Sequence, residues 1–507
     1  MSIDAATLLR FPIDPSQLGS PDWWLLQLER ALLAKRPRLQ LLADYANGAS
    51  PLMDIAETVR EAYVNFQRRA RTNFAELSVD VMLDRTHVAA IRTGAEGDDF
   101  GDQLAWEMWQ ANQLDADSPA LHRAAFTMGE AFAIVGDVDP MIGAPLVTIE
   151  DPRSIAIARD PMRRRQIRSA LKVFTDEWTG RDHGYLYMRG ENGQRAVVLR
   201  AESDGPVERL ARRRRGEADR GSGGWHWLGE PQMLPFSQVP VVWFPNQLDI
   251  DGRTFWGEFE KHTDVLDRIN TTVLQRLVIA AMQAFRQRVL KGLPVHDKDG
   301  AEINYEGLFS ADPAALWQVP ENVDIWESSI TDLTPLLMAA RDDIKDFAAV
   351  TRTPLPALSP DAANQSAQGS QMIWAGHISK CLDRMESLSE SWEQVTALQF
   401  LWLGDDARAS RRDMEVVWTP PDIPSMSERF DAAAKAKAAG VPQAYIMANI
   451  VGMTPQEMRR YADEMAAEAE VDTADPADAT DPASDLPADP QMDPATPDAM
   501  PPDGMDA

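Results

Sequence analysis

Cysteine is all but missing from this 507-residue chain: Cys381 stands alone, which excludes an intrachain disulfide framework and any multi-cysteine zinc site and fits a reducing compartment. Long apolar runs are missing too. The most apolar stretch, 273–285, is interrupted by Gln275, Arg276 and Gln283 and is too short to cross a bilayer, so no membrane span is expected. The start, 1–9, carries Asp4 and has neither a basic beginning nor an extended apolar core, so no signal peptide is expected and the chain should stay inside the cell that makes it. Positive charge is scarce as well: 50 Lys and Arg face 79 Asp and Glu, a formal net charge of −29. That balance argues against a protein that grips nucleic acid by neutralising phosphates. The deficit is sharpest in 471–507, which has no Lys or Arg but ten Asp and eight Pro, and predicts a disordered acidic tail.

Convergent catalytic groups are not evident either. The histidines (His87, His122, His183, His226, His262, His296, His377) are scattered, with no His-x-x-x-His pair and no carboxylate motif that would build a metal site. No Gly-x-x-x-x-Gly-Lys-Ser/Thr loop cradles phosphates, which argues against a nucleotide-driven motor. Asp342-Asp343 and Asp405-Asp406 are sequence neighbours, and neighbours on a helix point about 100° apart, so each pair reads as a solvated face. Trp23, Trp24, Trp106 and Trp109 could stack bases, but at helical spacing they read as core. No enzyme activity, metal or cofactor is expected.

What is present is an ordered series of parts. Residues 22–42 have helical spacing with a break expected at Pro37; 73–92 and 131–137 read as β-rich, with a helix at 120–129 leading straight into the second. Short apolar runs at 146–149, 155–158, 170–174, 185–188 and 196–199, separated by turn residues, predict an antiparallel sheet. Two arginine clusters, in 162–168 and at 212–215, read as solvated turns of that sheet, ahead of a phosphate contact or a subunit-interface salt bridge. From Gly257 a helical pattern without internal Gly or Pro runs to about Leu290 and stops at Gly292 and Pro294. A second helix is expected from Thr334-Pro335, with the Thr334 hydroxyl as cap and Leu337, Ala340, Ile344 and Phe347 on one face. Between them lie possible strands at 302–305 and 315–319. A polar stretch, 359–369, precedes Trp374, Ile378, Cys381, Met385, Leu388, Trp392 and Val395, an apolar seam that calls for a partner helix. Ser425-x-x-Glu428 and Thr454-x-x-Glu457 are capping boxes, and Gly440 and Gly452 are helix stops.

This order resembles the tailed-bacteriophage portal family across about residues 22–460. The resemblance rests on 41–48 (Leu-Leu-Ala-Asp-Tyr-Ala-Asn-Gly), Thr127-Met-Gly-Glu-Ala-Phe-Ala-Ile-Val135, the segment 149–160 with 170–174, Pro240-Val-Val-Trp-Phe-Pro-Asn246, Gly440-Val-Pro442, and Ile450-Val-Gly-Met-Thr-Pro455. It implies an α+β portal fold: a wing (1–255), stem helix 1 (256–291), an α/β clip (292–333), stem helix 2 (334–352), a tunnel loop (353–369), a seam helix with a helical crown (370–465) and the acidic tail (466–507). It further implies a homo-oligomeric ring of about twelve copies at one capsid vertex, through which double-stranded DNA is packaged and ejected without sequence preference. On that reading Leu274, Leu277, Val278, Met282, Phe285, Ile344 and Phe347 face sister subunits, and Asn364, Gln365, Ser366 and Gln368 face DNA. Asp297, Lys298, Asp299, Tyr305 and Phe309 then meet the terminase motor and the head-tail connector. Capsid and scaffold proteins would be further partners, and the place is the virion, with the host cytoplasm during assembly. The other reading of the same parts is a non-enzymatic oligomeric scaffold with a coiled-coil helix and an acidic arm.

Overall fold

The computed structural model describes residues 16–51, 61–95, 101–190, 193–203, 224–284, 288–293, 295–296, 300, 302, 323–327, 329, 331–359, 367–422 and 426–473. Its first helix, α1 (Pro21–Ala46), starts at Ser20, whose Oγ accepts the Trp23 amide at 3.1 Å, with proline at the first position where no amide partner is needed. The break expected at Pro37 does not occur. Residues on either side are fastened to the rest of the fold: Arg36 donates to the Arg153 carbonyl at 2.9 Å and Arg38 forks onto both oxygens of Glu260 at 2.6 and 2.7 Å. After α2 (Glu61–Ala70) comes α3 (Phe74–Leu83), then β1 (Val88–Arg92). The segment expected to be β-rich is thus half helix. Ala75, Val79 and Met82, all but fully buried, recur at steps of four and three, and that stripe outweighs the strand preference of Val79 and Val81.

Helices α4 (Gln103–Ala111) and α5 (Leu114–Met128) follow; α5 ends at Gly129, φ 85°, and passes directly into β2 (Glu130–Asp139), as the sequence predicts. The apolar runs become β3 (Ala144–Glu150), β4 (Ile155–Arg159), β5 (Ile167–Thr175), β6 (Asp182–Met188) and β7 (Val197–Ser203), joined by β8 (Trp225–Met233) and β9 (Val241–Pro245). One antiparallel sheet has the order β4-β5-β6-β7-β8, a meander; the other is β3-β2-β9. Residues 131–135 are apolar without alternation because both faces of β2 are covered. Phe132 and Ile134 meet Ile155, Ala170 and Tyr187 of the larger sheet, while Ala131, Ala133 and Val135 join the helical core. α1 lies on the opposite face of the larger sheet, Leu25, Leu28 and Leu32 against Leu171, Val173 and Leu186. The layers are therefore α1, large sheet, small sheet, helices: an α+β fold, as expected.

The long helical pattern resolves into a short 3-10 turn, α6 (Thr263–Ala284), and a strand β10 (Arg288–Lys291) that pairs antiparallel with β11 (Asp324–Glu327). The helix therefore ends before Leu290; Val289 and Leu290, read as its last turn, sit in a strand. The second helix is α7 (Thr334–Thr351). Its start is where expected, but the Thr334 hydroxyl is not its cap: Thr334 is already helical, and Asp332 Oδ1 accepts its amide at 2.9 Å. A single turn, α8 (Leu355–Leu358), and the 37-residue α9 (Ala367–Leu403) come next, so Gln368 belongs to a helix and not to a loop.

The seam of α9 lies where the sequence puts it, with Cys381, Met385, Leu388, Trp392 and Val395 buried. Its partner, however, is the small sheet together with α5. Ser391 Oγ donates to the Trp243 carbonyl at 2.9 Å and Ser387 Oγ to the Pro245 carbonyl at 3.2 Å, so the helix satisfies edge strand β9. Trp392 stands edge-on to Trp109 (4.8 Å) and Phe244 (4.9 Å) and donates its indole N–H to His122 Nε2 at 2.9 Å. Trp109 is core, as read, and its stacked neighbour Trp106 is half-buried against that core. Strand β12 (Glu415–Trp418) pairs with β1, and α10 (Met426–Ala438), α11 (Gln443–Tyr445) and a π turn (Ile446–Val451) follow, with Gly440 and Gly452 at positive φ after their helices. Helix α12 (Pro455–Thr473) extends into what was expected as tail; 474–507 and Ser425 lie outside the described residues.

Candidate functional site: the helical hairpin and its anchorage

α6 and α7 lie side by side and antiparallel. At one end Arg268 bridges Asp343 (2.7 Å) and Asp346 (3.0 Å); at the other the Gln283 amide donates to the Thr331 carbonyl at 3.0 Å, and the β10–β11 ladder continues the pair outward. Asp343 is therefore an ion-pair partner across the hairpin; Asp342, exposed and paired with Lys345, is the solvated one. Burial falls steadily along both helices. Leu266, Ile269 and Leu274 are buried, whereas no described side chain of α6 beyond Leu274 is; on α7 Phe347 and Ala348 are buried and residues 334–339 are exposed or half-buried. One end of the hairpin is embedded in the protomer, and the other stands clear of it.

The embedded end is fastened by a group of polar side chains that sequence reading did not single out. Glu258, 4% exposed, pairs with Lys380 Nζ at 2.8 Å and Arg384 Nε at 2.7 Å and accepts from Asn246 Nδ2 at 2.9 Å. Burial alone would raise its carboxyl, but the two cations prevail and hold it down at about 2. Lys380 also donates to the Thr351 carbonyl at 2.8 Å, and His377 faces the Arg352 carbonyl at 3.1 Å and the Val81 carbonyl at 3.2 Å. Burial lowers the His377 pKa, and the neutral ring can donate to one of the two carbonyls. Thr351 ends α7 and Arg352, at φ 53°, caps it, while Glu258 stands just before the 3-10 turn (Glu260–His262) that leads into α6. One stretch of α9 thus ties down the inner ends of both hairpin helices. Farther along α6, the Tyr45 hydroxyl donates to Asp267 at 2.8 Å and Asn270 Oδ1 accepts from the Thr72 amide and hydroxyl. Burial and the Asp267 hydrogen bond raise the Tyr45 pKa, so the phenol keeps its proton. The available signal was Lys380 and Arg384 at i,i+4 flanking a deeply apolar seam, two like charges that need a buried counter-ion.

Gly257 sits at this junction with almost no room: a Cβ there would collide with the Thr127 carbonyl oxygen. Gly257→Ala should destabilise the protomer by about 3 kcal/mol, the upper end for overpacking, because the obstacle is backbone. A denaturation midpoint equal to that of the native chain would refute the close approach.

The structure spreads the expected interface residues unequally. Leu274 and Phe347 are sealed inside the protomer's own core, so neither has surface left to offer a sister subunit. Leu277, Val278 and Ile344 are half-buried, and Met282 is 70% exposed. Met338 (62%), Val350 and Leu337 add exposed apolar surface on α7. Phe285, Asn364, Gln365 and Ser366 lie outside the described residues, as do Asp297, Lys298, Asp299, Tyr305 and Phe309; Gln368 lies in the first turn of α9. The strands expected at 302–305 and 315–319 also fall there, apart from Glu302, whose backbone forms an isolated antiparallel β-bridge with that of His296. Among the described residues no His, Cys, Asp and Glu group could hold a metal, and burial lowers His122 to about 3, so its ring is neutral.

The fold is a sheet-bearing body that carries a firmly anchored helical hairpin with exposed apolar side chains on its free part. The family described as phage portal protein, SPP1 Gp6-like, matches residues 26–471, and the chain belongs to that family; its function is that of a phage portal protein at the capsid vertex. It is 26% identical over 420 residues to the portal protein of Mycobacterium phage L5, covering 79% of this chain and 80% of that one. The portal protein of Mycobacterium phage D29 is 25% identical over 405 residues, covering 77% and 75%. Among solved structures, chains from the virion of a native gene transfer agent particle and from the neck of that particle computed with C12 symmetry each overlap at a TM-score of 0.36 and 13% identity. They cover 88% and 89% of this chain and 97% of their own.

Proposed function

We propose that copies of this chain close into a ring, about twelve to a vertex, whose bore passes duplex DNA during packaging and ejection. The observation that carries this reading is the apolar surface on the free part of the hairpin, Met282, Leu337 and Met338, in a helix pair whose other half is locked into the protomer. Helix flanks of this kind are stable in water when another surface covers them, and a ring gives every protomer the same cover. The net charge of −29 suits a conduit: a wall poor in Lys and Arg exchanges few counterions with passing phosphates and so holds DNA weakly. On this reading the wing spans 1–255, the stem helices 256–291 and 334–352, the clip 292–333, and the crown 370–465. The stretch 353–369 reaches the bore, where Asn364, Gln365, Ser366 and Gln368 meet DNA through neutral polar groups. The clip, with Asp297, Lys298, Asp299, Tyr305 and Phe309, receives the packaging motor and then the head-tail connector; capsid and scaffold proteins meet the wing. The protein performs no catalysis, the ATP-driven step belonging to the motor, and it resides in the virion after assembly in the host cytoplasm.

The coiled-coil scaffold reading loses its main support, because the seam of α9 is already covered by the protomer's own small sheet. Mass photometry of the purified chain, 56.3 kDa per copy, together with negative-stain images, tests the proposal. Rings with a central hole near twelve copies are expected; a stable monomer or dimer at micromolar concentration would overturn it.

A further inference from the structure

A second feature, independent of the hairpin and of any ring, is a cavity of about 400 Å³ between the large sheet and the far end of α9. Three arginines from three separate parts of the chain line it: Arg165 in the turn before β5, Arg189 just after β6, and Arg411 beyond α9. Gln166, Ser237 and Gln394 add neutral hydrogen-bonding groups. In a chain with so large an acidic excess this convergence of guanidinium groups stands out. Arg189 is held by Gln166 Oε1 at 3.0 Å and stands 3.8 Å from Asp160; Arg411 is held by Glu390 at 2.9 Å, with Glu393 at 3.8 Å. Arg165 has no ion pair among the described residues.

We propose that this cavity is a binding site for a small polyanion of the phosphate class, a short chain of phosphoryl groups gripped by Arg165, Arg189 and Arg411. Guanidinium forks match phosphoryl oxygens in geometry as well as charge. The volume exceeds that of one phosphate and falls in the range of small-ligand sites, about 300–1,000 Å³. None of the lining residues is aromatic, so a nucleobase would find no ring to stack on, and the recognised part is the oxyanion. A concavity of this size does not admit a duplex.

Glu393 adds a control. Its carboxyl, 13% exposed, is pushed up to about 7 by burial, then by Glu390, with Glu415 in the same direction and Arg411 and Arg165 opposing. Glu393 does not line the cavity but stands 3.8 Å from Arg411, which does; below that pH it is neutral and Arg411 loses one opposing charge, so anion binding should tighten as pH falls from 8 to 6.

The test is calorimetric titration of the full-length protein with inorganic tripolyphosphate at low ionic strength. Saturable binding is expected, weakened about tenfold or more by Arg165→Gln and by Arg411→Gln, the loss of one charge-assisted contact in each case. Arg200→Gln, on a different part of the large sheet, should leave it unchanged. Glu393→Gln should tighten binding at pH 8 and flatten its pH dependence. Arg165 lies on an exposed turn, so that variant keeps its fold even if Arg411→Gln does not. Absence of saturable binding, or binding indifferent to Arg165→Gln, overturns the proposal. So does an Asp-rich peptide that binds through these arginines where tripolyphosphate fails, which would make the cavity a protein-docking site. ADP binding more than about tenfold tighter than pyrophosphate would overturn the ligand class.

Discussion

Glu258→Gln should lower the unfolding free energy by about 3–5 kcal/mol, the usual cost of removing one side of a buried ion pair. Lys380 and Arg384 lose the carboxylate that compensates them, and Lys380, 5% exposed, is left with neutral acceptors such as the Thr351 carbonyl. The effect has a defined pH signature. The Glu258 pKa is depressed in the fold from 4.5 to about 2, so its contribution is fully present above about 4.5 and is lost as pH falls toward 2. Urea midpoints at fixed protein concentration should therefore differ widely between native and variant chains at pH 7 and converge through that window. A difference below about 1 kcal/mol at pH 7, or one that stays constant down to pH 2.5, would show that the triad is solvated. Because Glu258 joins the entry of α6 to α9 and Lys380 joins α9 to the exit of α7, the same substitution should raise amide exchange at 351–358 before it does so in the large sheet.

Four of the five strands of the large sheet, β4 to β7, the passage from α5 into β2 and the seam of α9 were legible in sequence because each rests on a local periodicity or a glycine stop, whereas β8, with Gly229 and Pro231 inside it, carries no such run. What failed was decided by surroundings. Pro37 did not break α1 because arginines on both sides of it are bonded to distant parts of the chain. The seam of α9 implied a helical partner, since spacing reports that a face is buried and not what buries it. Leu274 and Phe347 have the same apolar character as Leu277 and Met282, so hydropathy alone could not separate the half of the hairpin that serves the protomer's own core from the half that stands free. The anchoring triad was hidden for a related reason: Glu258 is more than a hundred residues from its partners, and pairing over that distance leaves no mark in spacing.

That division of the hairpin yields the second large prediction, which rests on the proposed ring. Met282→Glu combined with Met338→Glu should leave each protomer folded with its denaturation midpoint within about 0.5 kcal/mol of native, because both side chains are mostly exposed before assembly. Assembly should nevertheless fail, since every subunit contact would bury unpaired carboxylates, and the same charges repeat at each contact around the circle. Leu274→Ala and Phe347→Ala should behave in the opposite way. Each empties a site inside the protomer and should cost about 2–5 kcal/mol of its own stability. Mass photometry and chemical denaturation of the same four preparations separate the two kinds of residue. If the double glutamate variant still closes rings, the free half of the hairpin is not the interface; if it loses rings only by unfolding, the apolar flank belongs to the protomer's core after all.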